Sequence, residues 1–234
     1  MVKATLKSDI IMSWEEIAEE INAGNSKSLF AVNDIVTFIG RDGNVYSAEV
    51  LAIDLYEPDS IIFGFKDAFK DFQMNERDTN AGGYCESQLA PKMEEYLITT
   101  IIPHNLMDKI SPRTIIQNIN GETFESRHTF WLPSIVELFG EDYRQYECEE
   151  GVVQFEGFKK CINRIKVRDN RPVYIWSRSP NTGYTGNFWS CTDTGAAFYN
   201  SHANFWYGVA PCFLIKKTRD PRKLHNYGNI EDII

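Results

Sequence analysis

Hydrophobic positions along this chain follow two rhythms, and the first is helical. Trp14, Ile17, Ala18 and Ile21 fall on one face of a 3.6-residue repeat. Ser13 and Glu16, three residues apart, make a capping-box pattern in which each satisfies the other's free backbone N–H. Gly24 stands where a helix-ending glycine belongs. The rhythm then changes. Residues 29–39 and 45–56 are rich in Val, Ile, Phe and Tyr and read as strands, and Asp42-Gly43 between them predicts a hairpin turn. Residues 61–65 read as a further short strand.

Residues 74–86 form a polar, glycine-containing loop. Ser87 can cap a helix with Leu89, Met93, Tyr96 and Leu97 inward, and Pro91 is tolerated because it lies in the first turn. A helical turn follows at 106–110, and a second capping box, Ser134 with Glu137, opens a short helix that Gly140 closes. The segment 141–160 is acidic and aromatic, and its periodicity decides little. Residues 172–177 read as a strand carrying Trp176, residues 181–208 as a loop-rich stretch and residues 209–215 as a terminal strand; from Lys216 the chain turns basic and polar, as a tail would. Helix, strands, helices, strands is the order of an α+β fold, with antiparallel strands and two main helices. The expected division is a helix-bearing segment 1–28, a ligand-binding domain 29–217 and a tail 218–234.

Composition narrows the function. A chain of 234 residues can bury a sizeable core, and 13% aromatic content argues against disorder. A net charge of −9 argues against nucleic-acid binding, whose affinity comes from cations neutralising phosphates. No stretch approaches the roughly 20 apolar residues that span a bilayer, and residues 1–11 lack the centre of a signal peptide. Membrane insertion is therefore not expected, and synthesis is expected to be cytoplasmic. Cys85, Cys148, Cys161, Cys191 and Cys212 lack CxxC spacing and read as buried, reduced thiols; His104, His128, His202 and His225 lack metal-pair spacing. Glu149-Glu150 reads as a solvated acidic pair. No catalytic residue, metal or cofactor is assigned.

The informative stretch is 174–213, which holds 11 of the chain's 31 aromatic residues in 40 positions, about twice the average density. Many sit beside Gly, Asn or Ser. That is paratope composition, in which Tyr and Trp give contact area at small entropic cost and small polar residues adapt. Trp176, Trp189 and Phe213 suit a core; Tyr184, Tyr199 and Tyr207 suit a surface or a core. From Asn181 to Ile215 there is no Lys, Arg, Glu, Gln or Met. Apart from Trp189 and Trp206, every residue type in that window has a codon ending in a pyrimidine, the outcome of randomising the adenines of Asn codons.

Several motifs carry a resemblance. Met74-Asn75, Thr79-Asn80-Ala81-Gly82-Gly83-Tyr84, Ser87, the run from Phe130 to Gly140, Trp176-Ser177-Arg178-Ser179-Pro180, Asn187-Phe188 and Gly208-Val209-Ala210-Pro211-Cys212-Phe213 resemble phage and prophage proteins of gut Firmicutes. Ser13-Trp14-Glu15-Glu16-Ile17 and the Asp42-Gly43 hairpin extend the likeness across residues 13–215. The resemblance implies a C-type-lectin-like fold of the formylglycine-generating-enzyme variant. It also implies a C-terminal region diversified by a retroelement. Position by position, Trp176, Arg178, Trp189, Gly195, Ala203, Gly208, Val209 and Pro211 become scaffold. Asn181, Tyr184, Asn187, Ser190, Thr192, Asp193, Tyr199, Asn200, Ser201, His202, Asn204, Trp206 and Tyr207 become the ligand-binding surface. The Glu-Pro-Asn and Trp-Asn-Asp triplets of calcium-dependent lectins do not occur.

The resulting expectation is a non-enzymatic receptor-recognition protein in a virion tail or displayed at a surface. Its partner would be a host cell-surface protein or glycan, with other virion subunits as further contacts. The alternatives are a structural tail or baseplate protein, and a cysteine-dependent oxidase-like enzyme of the same fold.

Overall fold

The computed structural model describes residues 8–218. In chain order the elements are α1 (Trp14–Asn22), α2 (Ser26–Leu29), β1 (Ile35–Ile39), β2 (Val45–Ile53), β3 (Ser60–Phe65), β4 (Lys70–Phe72), α3 (Leu89–Tyr96), α4 (His104–Met107), β5 (Ile110–Ser111), β6 (Arg113–Ile119) and β7 (Glu122–His128). There follow α5 (Ile135–Phe139), α6 (Cys161–Arg164), β8 (Lys166–Arg168), β9 (Arg171–Val173), β10 (Ile175–Pro180), β11 (Asn187–Cys191), β12 (Ala197–His202), β13 (Tyr207–Val209) and β14 (Cys212–Lys216). The fold is α+β. One sheet runs β1-β2-β3-β14-β5, a second runs β12-β11-β10-β13-β4, and β6-β7 and β8-β9 are separate hairpins. Pairing is antiparallel except between β10 and β13.

The α1 helix begins as its sequence requires. The Ser13 hydroxyl accepts from the Glu16 N–H at 3.2 Å, and the Glu16 carboxylate accepts from the Ser13 N–H at 2.7 Å. Its buried face seats Trp14 edge-on against Phe38, Phe63 and Phe213, with ring centroids 5.4 to 5.9 Å away. The helix is thus part of the core of the first sheet, not a separate attachment. Two strand pairs connect the sheets. β3 continues into β4, and β13 continues through Ala210-Pro211 into β14, each pair bonding antiparallel to the other. At Gly208 a Cβ would lie 2.9 Å from the Ala68 Cβ and 3.2 Å from the Tyr174 carbonyl, so β13 seats closely only with glycine there.

Several expectations are corrected. Residues 29–34 are the end of a short helix and a turn, so the first strand starts at Ile35. The β6–β7 hairpin escaped the periodicity reading, although Asn120-Gly121, both left-handed at φ 52° and 86°, is a strong hairpin turn. The expected loop 181–208 contains β11, β12 and β13, whose small polar residues pair across strands. Residues 209–215 are broken by Ala210-Pro211, because proline cannot donate to a ladder. The tail does not begin at Lys216. That residue ends β14, and the Thr218 N–H and hydroxyl donate to Asn22 at 2.8 and 2.9 Å. Residues 219–234 of the expected tail, and residues 1–7, lie outside the described residues.

A buried ionic cluster joins the second sheet to the elements around it. Arg178 of β10 is fully buried. Its Nε and Nη2 donate to the two oxygens of Glu149 at 2.6 and 2.7 Å, and Nη1 donates to the Leu132 carbonyl at 2.7 Å and to Glu137. The other Glu137 oxygen accepts from Arg113 at 2.8 Å and from the Tyr56 hydroxyl at 2.9 Å. Glu137 also closes the second capping box, with Ser134. Glu149 is therefore a buried ion-pair member, contrary to the solvated reading from sequence; only Glu150 is exposed.

Burial alone would raise the Glu137 carboxyl, but the Arg178 and Arg113 guanidinium groups outweigh it and hold it near about 2. A carboxyl depressed on folding stabilises the fold above its unfolded range near pH 4.5 and loses that contribution as pH falls through about 2. The Tm should therefore fall steeply between pH 4 and pH 2 as read by circular dichroism. Glu137→Gln should start lower and show a shallower fall. Arg178→Met, which leaves buried Glu149 without its cation and Glu137 with Arg113 alone, should cost about 3–5 kcal/mol in urea denaturation. An unchanged midpoint would show the cluster to be energetically neutral.

Candidate functional site

The loops at the far edge of the second sheet carry an aromatic surface. Tyr184, Tyr199, Phe205 and Trp206 are 57%, 52%, 43% and 63% exposed. Isolated exposed aromatics are ordinary, but Tyr184, Tyr199 and Phe205 belong to one connected run of rings, and Trp206 follows Phe205 in the chain. Tyr184 lies 6.3 Å from Tyr199, which is 6.0 Å from Phe198. Phe198 lies 6.0 Å from Tyr174, which is 5.3 Å from Tyr207; Phe205 closes the run, 6.1 Å from Tyr207 and 5.1 Å from His202. Underneath, Trp176 holds Tyr207 at 4.7 Å and donates its indole N–H to the Phe72 carbonyl at 2.8 Å.

The polar 74–86 loop holds this surface. Buried Asn80 directs its side-chain amide at three carbonyls, those of Asn181 at 2.9 Å, Tyr184 at 2.8 Å and Asn187 at 2.8 Å. Its backbone N–H donates to Thr185 at 2.8 Å. Each of these carbonyls also accepts a backbone N–H within the loop, from Tyr184, Asn187 and Asn181 at 3.1, 3.2 and 2.9 Å, so the amide braces a tight loop that already bonds to itself. Asp78 secures the neighbouring turn, accepting from the Ala203 N–H at 3.2 Å and meeting His202 Nδ1 at 2.7 Å. Asn75 donates its own N–H to the Ala203 carbonyl at 2.9 Å.

The residues expected at the surface divide into two groups. Tyr184, Asp193, Tyr199, Asn200 and Trp206 are exposed, and His202, Asn204 and Tyr207 are half-buried. Asn181, Asn187, Ser190, Thr192 and Ser201 are buried and hold the loops together. Ser190 and Ser201 share a hydrogen bond of 2.7 Å between β11 and β12, and the Asn187 amide donates to Asn200 at 2.9 Å. The Asn181 amide donates to the Tyr199 carbonyl at 3.0 Å, while the Thr192 hydroxyl accepts from the Ala196 N–H at 3.0 Å. A composition reading cannot separate the two groups, because Asn, Ser and Thr serve a loop surface and a loop interior equally well. Asn80, Asp78 and Phe205 were missed as site residues. For Asn80 the available signal was an amide within a Gly-Gly loop, which offers donors to backbone that has no ladder.

The fold and this surface define a mixed α+β domain that displays aromatic side chains from loops fastened at their backbone. The chain belongs to the DUF6273 family, a domain of unknown function, which it matches over residues 59–217. No curated protein and no solved structure matches it. Among the described residues no helix is long and apolar enough to cross a membrane.

The cysteines are dispersed in environment. Burial raises the thiols of Cys85, Cys148 and Cys212 and pushes Cys191 up to about 12, which suppresses the thiolate that reacts. Cys161, expected to be buried, is exposed, with its Sγ 3.2 Å from the Thr194 carbonyl. Iodoacetamide at neutral pH should label Cys161 first, at the rate of a model peptide, and the other four only on unfolding. Labelling of Cys161 many times faster than the peptide would instead mark an activated nucleophile.

Asn80→Ala should cost about 1–3 kcal/mol, because three loop carbonyls lose the side-chain donor that supplements their backbone N–H partners. Asn80→Asp, which turns an acceptor toward acceptors, should be at least as damaging. Hydrogen exchange should accelerate first in residues 181–187, and uniform acceleration across the chain would refute the local clamp.

Proposed function

We propose that this protein is a non-enzymatic recognition protein of phage or prophage origin, with a C-type-lectin-like fold whose C-terminal loops bind a host-surface partner. The observation that carries this reading is the exposed ring run from Tyr184 to Phe205, with Trp206 beside it, mounted on loops whose backbone is held by Asn80 and Asp78. Large exposed aromatics on a fixed backbone are the usual anchors of binding energy. Separation of roles supports retroelement diversification too. The exposed side chains at 184, 199 and 206 can change without disturbing the hydrogen bonds made by Asn80, Asn181, Ser190 and Ser201, whereas Asn200 also bonds the buried Asn187 amide.

A second reading is a fixed structural contact in a virion. It is favoured by a separate apolar pair, Ile39 and Val45, cross-strand partners at the tip of the β1–β2 hairpin and 67% and 69% exposed.

Sequencing the gene and its flanking DNA across isolates separates the two readings. The recognition reading expects substitutions at adenine-derived codons for exposed positions within 181–207, sparing Asn181, Ser190 and Ser201, with a near-copy of the segment and a reverse transcriptase gene nearby. Evenly spread substitutions without a near-copy would favour the fixed contact. In parallel, the combined variant Tyr184→Ala, Tyr199→Ala, Trp206→Ala should melt within about 2–3 °C of the parent, as expected of surface substitutions. A larger drop would make these rings core rather than ligand surface.

A further inference from the structure

The aromatic surface does not stop at the C-terminal segment. The acidic stretch Glu141–Tyr146 forms a 3-10 helix beside it. Tyr146, 40% exposed, places its ring 5.0 Å from Trp189, and Tyr143 lies 6.0 Å from the same indole. Trp189 in turn lies 6.2 Å from Tyr199. The exposed rings of Tyr146, Tyr199 and Tyr184 are therefore connected across the edge of Trp189, and two different parts of the chain build one surface.

Its charge is one-sided. The 181–215 segment carries neither Lys nor Arg. The tyrosine-bearing 3-10 helix exposes Asp142, the following loop exposes Glu150, and the β11–β12 turn exposes Asp193; Glu141 is exposed too, but Arg144 neutralises it. Arg144, within that helix, is occupied by Glu141, to which its Nε and Nη2 donate at 3.1 and 2.6 Å. Half-buried Arg164 is held at the β11–β12 turn, donating to the Gly195 carbonyl at 3.0 Å with its guanidinium over Phe139, while exposed Arg77 and Lys160 on flanking loops lie over no ring among the described residues. Ring faces are electron-rich and attract cations, most strongly arginine, while nearby carboxylates add long-range attraction. Tyr184, Tyr199 and Trp206 project from loops into solvent, so the surface suits another protein's surface better than an enclosed small molecule.

We infer that this surface, including Tyr146, binds a protein partner that presents arginine side chains to it. The inference rests on the recognition reading above and adds the partner's chemistry and a contact residue outside the C-terminal segment.

The test is an NMR titration of the labelled full chain with three probes. These are the capped peptide Gly-Arg-Gly-Arg-Gly, its glutamate counterpart and the neutral trisaccharide maltotriose. The arginine peptide should shift the ring resonances of Tyr146, Tyr199 and Tyr184 saturably, and about 0.5 M salt should weaken it several-fold. Asp142→Asn with Asp193→Asn should leave the Tm unchanged and weaken the peptide at least about threefold. Tyr146→Phe should retain binding, whereas Tyr146→Leu should lose most of it. Equal or tighter binding of maltotriose or the glutamate peptide at the same rings would overturn the arginine preference while leaving a recognition surface in place. If no probe gave a saturable shift, the arginine inference would fall; the recognition reading would still be decided separately by the isolate sequences.

Discussion

The fully buried guanidinium of Arg178 is the constraint around which the second half of this protein is arranged. A charge without access to water is tolerable only when its donors are matched, and here Glu149, Glu137 and the Leu132 carbonyl match them. These partners come from two other segments of the chain, 132–137 and the loop at 149. The short α5 helix, the 147–150 loop and β10 must therefore reach their places together. Through Glu137 the requirement extends to Arg113 on β6 and to Tyr56 beyond β2. Through Gln117, which donates to Glu149 at 3.1 Å and accepts from the Tyr84 N–H at 2.8 Å, it reaches the loop that holds the aromatic surface.

That surface follows a related division of labour. Its backbone is secured by groups that solvent does not reach, chiefly the Asn80 amide and the Ser190–Ser201 pair. Its largest side chains point outward and make few hydrogen bonds. Loops normally trade display for order, since ordering each residue costs about 1–2 kcal/mol of backbone entropy. Here backbone hydrogen bonds from buried amides offset part of that cost independently of the exposed side chains. Identity at positions such as 184, 199 and 206 is thereby uncoupled from folding.

The segment between α5 and α6 shows how local chemistry and tertiary position combine. Its acidic, aromatic composition has no helical or strand rhythm. In the structure Glu149 pairs with Arg178, while Tyr143 and the exposed Tyr146 pack on Trp189. Neighbouring glutamates, 149 and 150, end in opposite environments because only one of them faces the guanidinium.

Where the determining interaction is local, the amino-acid order was sufficient. The Ser13–Glu16 and Ser134–Glu137 capping boxes, the Asp42-Gly43 turn, the buried stripe of α1 and the aromatic richness of the last third all depend on residues a few positions apart. Asn120-Gly121 was equally local and could have been read from the sequence. What tertiary structure decided was of another kind. Whether Asn187 or Ser201 faces solvent, whether Glu149 is ionised in water or paired in the core, and which carbonyls Asn80 reaches are set by partners up to about a hundred positions away. Burial and long-range pairing belong to the assembled chain, because they depend on which distant segments exclude water from a given side chain, and no short window of sequence contains that information.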